Sequence, residues 1–113
     1  SSRDELLRID VQKIVYFEAD GNYTNIVTQN KIRSSVCMNL GQMEQVIASQ
    51  CQDADVRFIR IGKKYMINID YIYKISSLKK QIVLTDYKNF IFQLEASKDA
   101  LKKLKEMMIN GVF

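Results

Sequence analysis

Two β-forming runs, residues 14–19 (IVYFEA) and 23–28 (YTNIVT), are joined by Asp20-Gly21-Asn22. Glycine takes a positive φ at no steric cost, so this tripeptide reads as a tight reversal and the two runs as an antiparallel pair. In the second run Tyr23, Asn25 and Val27 share one face, and Thr24, Ile26 and Thr28 the other. A further reversal at Gln29-Asn30 leads into residues 31–38. The pattern predicts an antiparallel meander. A short mixed run at 6–11 (LLRIDV) reads as one more strand.

A helix is predicted next. Asn39 is a good N-cap, and Gln42 stands three residues on, as a capping box requires. Met38 and Met43 occupy the staple positions on either side. Leu40, Met43, Val46, Ile47 and Cys51 form an apolar stripe at helical spacing. Gly41 weakens the first turn, and the polar Gln52-Asp53 ends the helix. Strand character returns at 58–61, 65–69, 71–76, 82–85 and 90–94, with reversals at Gly62-Lys63-Lys64, at 78–81 and at 86–89. Ser97 caps a closing helix with Asp99 in its first turn. Leu101, Leu104, Met107 and Met108 supply its buried stripe, Lys102, Lys103 and Lys105 its outer face, and Gly111 its C′ position. Helices do not alternate with strands, so the chain is mainly β, or α+β, and a doubly wound sheet is excluded.

At 113 residues the chain is long enough for one domain with its own core. Nearly half of it is apolar, which separates it from disordered sequences. No apolar run nears the ~20 residues that a spanning helix needs, and no signal-peptide pattern opens the chain. Cys37 and Cys51 follow neither a disulfide-scaffold nor a CxxC pattern. Both read as free thiols, Cys37 buried at a strand-to-helix junction, and the chain as cytoplasmic. The opening SSRDELL reads as a cut from something longer.

The charge is placed unevenly. Seven basic residues, Arg57, Arg60, Lys63, Lys64, Lys74, Lys79 and Lys80, face one acid, Asp70, between positions 57 and 80. They are threaded through apolar runs that must fold, as in FIRIGKKYMIN. A rigid cationic surface suits a polyanion, of which duplex nucleic acid is the commonest. Lys63 and Lys64 at a loop tip have the reach for phosphate, while Asn22 and Asn25 flank Tyr23 on a second loop. Lysine suits a phosphate contact, and asparagine or arginine a base edge.

Catalysis finds little support. The chain has no histidine, hence neither the usual general base nor the commonest metal ligand. Four glycines form no phosphate-binding loop. Glu18 and Asp20 share a face only if the strand continues through Ala19, and nothing else builds a glycosidase-like cleft around them. Asp70 reads as the cap of a short turn. Tyr16, Phe17 and Phe58 read as core, and Tyr23 as the exposed aromatic. No cofactor, metal or catalytic residue is expected.

The segments IVYFEADGNYTNIVT (14–28) and FIRIGKKYMINIDYI (58–72), linked by the helix NLGQMEQVI, resemble the two signature stretches of LytTR DNA-binding domains. The resemblance runs from about Leu7 to Ile109. It implies an elongated, mostly antiparallel arrangement of about ten short strands with two helices. It also implies a single domain over residues 1–113, the C-terminal output part of a bacterial transcriptional response regulator. Such a protein works without enzymatic activity, with an upstream receiver or sensor domain in cis. The expected partner is double-stranded DNA, bound as a dimer on paired sites by loops that enter successive major grooves.

Carried onto this chain, the resemblance makes residues 22–25 the first DNA-facing loop, with Asn22, Tyr23, Thr24 and Asn25 probing groove edges. Thr24 falls near a base-reading histidine of the family. Residues 62–64 are the second loop, with Lys63 and Lys64 on the backbone. Arg60 and Asn68 match the family pattern, with packing and loop hydrogen bonding as their alternative role. Two departures stand out. Gly62 replaces the second motif's usual histidine. Glu95 and Ala96 stand where the family has an arginine before its last helix, leaving Lys98 as the nearest basic substitute. These departures keep open a second reading, a protein-interaction or regulatory domain on the same fold with weakened DNA binding.

Overall fold

The structure, a computed structural model, describes residues 5–51 and 56–111. Eight strands and two α-helices are present among them: β1 (Ile14–Asp20), β2 (Tyr23–Thr28), β3 (Arg33–Val36), α1 (Leu40–Gln50), β4 (Phe58–Ile61), β5 (Tyr65–Asn68), β6 (Ile72–Ser76), β7 (Gln81–Thr85), β8 (Ile91–Glu95) and α2 (Lys98–Ile109). All pairings are antiparallel. The chain divides into two compact units, Ser1–Asp70 and Tyr71–Phe113.

The first unit is a five-stranded sheet in the order β3-β2-β1-β5-β4. The expected reversal joins β1 to β2: Gly21 has φ +60, and Asp20 pairs with Tyr23. Phe17 of β1 stands opposite Ile26 on one side and Met66 on the other. Together with Ile14, Leu40 and Met43 these residues form the core that α1 covers. The capping box of α1 is complete: Gln42 N–H donates to Asn39 Oδ1 at 2.8 Å, and Asn39 N–H donates to Gln42 Oε1 at 3.0 Å. Two N–H groups that the helix cannot satisfy internally are thereby paired. Met38 packs on the same core, as a staple residue should. Cys51 is the C-cap; the expected fading of the helix at Gln52-Asp53 lies outside the described residues.

The second unit is a three-stranded sheet, β6-β7-β8, followed by α2. Ile82, Leu84, Phe90, Leu94, Leu101 and Leu104 are its deeply buried apolar residues. The Ser97 hydroxyl accepts from Ala100 N–H at 3.2 Å and starts α2. Gly111, at φ +69, ends it.

Four expectations are corrected. Residues 6–10 form no strand; a 3-10 turn occupies Val11–Lys13, and Leu6 is almost fully exposed. Cys37 is exposed, because β3 ends at Val36 and the chain leaves the sheet before α1 begins. Asp70 does not cap its turn: Asn68 Oδ1 accepts from Asp70 N–H at 2.9 Å and takes that role. Met108 lies 39% exposed, so Leu101 and Leu104 carry the buried stripe of α2.

Candidate nucleic-acid interface

The sheet order determines which loops are neighbours. β1 runs toward its turn at Gly21-Asn22 while its partner β5 runs away from the 62–64 loop, so both loops emerge at the same end of the sheet. The Ala19 N–H donates to the Lys64 carbonyl at 2.7 Å, extending the ladder into the loop itself. Asn22, Tyr23, Lys63 and Lys64 are all exposed there. Tyr23 keeps 46% of its surface open, and the Lys64 ammonium lies 5.5 Å from the centroid of the Tyr65 ring.

Four residues expected near this surface sit deeper. Thr24 is 0% exposed and donates its hydroxyl to the Met38 carbonyl at 2.8 Å. Asn25 is 7% exposed, with Nδ2 3.4 Å from both Glu18 Oε1 and Asp20 Oδ2. The reason is register: Thr24 lies on the face that α1 covers, and Asn25 lies opposite Glu18. Neither side chain projects as a groove probe. Arg60 donates to Glu44 Oε1 at 3.3 Å and to the Gly62 carbonyl at 3.5 Å, bracing the 62–64 loop against α1. Asn68 is buried and donates to the Ile14 carbonyl at 2.9 Å, a packing role.

Beneath the turn lies a polar cluster that sequence reasoning missed. β1 continues through Ala19 to Asp20, so Glu18 and Asp20 do share a face, with Asn25 between them. Arg33 reaches Glu18 at 2.5 Å and the Tyr16 hydroxyl at 3.3 Å. The hydrogen bond to Glu18 pushes the Arg33 guanidinium further up, while burial pushes the Tyr16 phenol up against the opposing pull of Arg33. The reversal read as Asp20-Gly21-Asn22 hid it: β1 keeps Asp20, and the shorter Gly21-Asn22 turn sets Glu18 opposite Asn25.

In the second unit Lys98 is exposed in the first turn of α2. Glu95, Ala96 and Ser97 line a shallow cleft with Lys79 and Lys80, so Glu95 and two lysines border the same cleft. Among the described residues no cluster of three or more acidic or thiol groups is gathered to hold a metal. Among the described residues no helix is long and apolar enough to cross a membrane.

The LytTr DNA-binding domain family matches residues 4–109. The chain belongs to this family. Its fold also matches a solved "LytTr DNA-binding domain" of a response regulator from Bacillus cereus, with a TM-score of 0.65 at 15% identity, covering 96% of this chain and 92% of that one. A comparison with curated proteins finds no match. The LytTR fold, mostly antiparallel strands in two sheets with two helices, is the architecture described above, and a LytTR domain is a DNA-binding module.

Proposed function

We propose that the chain is the sequence-specific, double-stranded DNA-binding output domain of a bacterial transcriptional response regulator. One observation carries this reading: the loops at 21–23 and 62–64 share one end of one sheet, tied by the Ala19–Lys64 backbone bond. Lys63 and Lys64 then neutralise phosphates, and Asn22 with Tyr23 reaches base edges. Phosphate contacts set position and affinity, and base contacts set choice. Thr24, Asn25 and Arg60 act one layer behind, holding the shape of the two loops. Lys98, exposed at the start of α2, is a further cation available to phosphate on the second unit itself.

A module this small covers limited duplex surface. Two copies on paired sites follow from that, with an upstream receiver or sensor domain in cis raising activity by bringing them together. The test is selection from a random duplex library, followed by gel shift at two salt concentrations. Enrichment of a motif repeated at fixed spacing is expected. Absence of salt-sensitive binding above a neutral control protein overturns the reading.

A further inference from the structure

The chain's charge excess is confined to one unit. Residues 1–70 contain nine basic and nine acidic side chains, whereas residues 71–113 contain eight and four. The whole formal net charge of +4 therefore belongs to the second unit. In the first unit two of the cations are also engaged, Arg33 on Glu18 and Arg60 on Glu44. Among the described residues of the second unit no lysine forms an ion pair.

These lysines are gathered. Lys98, Lys102 and Lys105 recur at intervals of four and three and line a single groove with Ser77 and Leu78. Lys105 Nζ donates to Ser77 Oγ, fastening the 77–80 turn to the helix. Ala96 N–H donates to the Lys80 carbonyl at 3.1 Å, so the same turn places Lys79 and Lys80 beside the start of α2. The turn is itself braced, with Lys79 N–H donating to Ser76 Oγ at 3.2 Å. Five lysines thus line two grooves joined by the 77–80 turn and the start of α2, with Glu95 bordering one and Glu106 the other.

The chemistry favours phosphate over a protein partner. Protein interfaces are depleted in lysine and anchored by aromatic residues and arginine, and neither groove is lined by one. At ~1.5 Å rise per residue, Lys98 and Lys105 stand about 10 Å apart along α2. One DNA strand presents a phosphate about every 3.4 Å of duplex axis, so the row covers roughly three phosphate steps. We propose that Lys79, Lys80, Lys98, Lys102 and Lys105 form a sequence-independent contact for the duplex backbone that supplies much of the domain's electrostatic affinity. This rests on the duplex-binding reading above and extends it to a surface with no base-reading part.

The test is fluorescence anisotropy with a labelled random-sequence duplex across a potassium chloride series. The variant is the triple substitution Lys79→Gln, Lys98→Gln and Lys102→Gln, and Lys88→Gln serves as control. Each lost phosphate contact lowers the slope of log affinity against log salt by about 0.9, so the triple variant loses about 2 to 3 from that slope. Between 50 and 200 mM salt the wild type then weakens ~15- to 60-fold more than the variant. Arginine at the same three positions restores the slope, which a folding defect would not allow. A wild-type slope in the triple variant overturns the proposal and leaves the DNA reading standing. Failure of the wild type to bind with any salt dependence overturns both. Selective loss of binding to a polyglutamate peptide, with the duplex unaffected, makes this surface a protein contact and also overturns it.

Discussion

Ala19 and Lys64, distant in sequence, are joined by a backbone hydrogen bond of 2.7 Å. That bond makes the tip of the β1–β2 hairpin and the β4–β5 loop a single rim. Because the bond uses the main chain of Lys64, the exposed side chain, whose ammonium lies near the Tyr65 ring, takes no part in it, and the bond itself does not depend on what stands at position 64.

Charge reversal at the rim separates recognition from folding. Lys63→Glu with Lys64→Glu removes two phosphate contacts and adds repulsion, while the ladder from Ala19 persists. Duplex affinity should fall by at least about 50-fold near 100 mM salt, since two lost contacts alone account for much of that. The urea midpoint should shift little, because both side chains are exposed. Gel shift and chemical denaturation on the same preparation check the pair of outcomes.

Thr24 gives the opposite result. Thr24→Val keeps the shape but removes the hydroxyl that satisfies the Met38 carbonyl at 2.8 Å. A buried acceptor left unpaired costs about 1–3 kcal/mol. The expected change is a stability loss of that size by urea unfolding, with the preferred DNA sequence unchanged in a selection experiment. A changed motif would return Thr24 to the groove.

These two positions show what was legible in the sequence. The hairpin was, because Asp20-Gly21-Asn22 carries its own turn chemistry and the flanking runs alternate. The caps of α1 and α2 were legible because Asn39, Gln42 and Ser97 act within three residues. The depth of Thr24 and Asn25 was not. Alternation assigns them to opposite faces but does not reveal that α1 closes one face and the Glu18–Asp20 pair occupies the other. The placement of β5 beside β1 was also hidden, since pairing Phe17 with Met66 spans most of the first unit and leaves no local signature. The 6–11 run misled because a short mixed apolar run carries no signal of whether a partner strand stands beside it; here none does among the described residues.

The loop at 86–89 carries a pH signature. Although desolvation acts against it, Asp86 is held at about 2, below the ordinary 3.8, by N–H groups of Asn89, Lys88 and Phe90 and the Asn89 amide. A folded-state value below the unfolded one favours the native loop above pH ~4, and that contribution disappears as pH falls toward 2. In Asp86→Ala the acid-induced loss of structure across this window should be shallower. Circular dichroism across an acid titration of both proteins measures it; parallel curves would contradict the assignment.

The last prediction concerns the bend that aims the second loop. Gly62 has φ +60, and a Cβ built there meets nothing within 4 Å. Any penalty for a side chain is therefore conformational and not a clash. Gly62→Ala should cost about 1–2 kcal/mol, the strain of holding an L-residue left-handed. Gly62→Asn should cost distinctly less, because asparagine tolerates that region. A steric origin would reverse the order, with the larger asparagine worse than alanine. The ranking of the two variants by urea unfolding therefore decides between strain and crowding. Duplex affinity should follow the same ranking, since Arg60 holds the Gly62 carbonyl and a relaxed bend would move Lys63 off the rim.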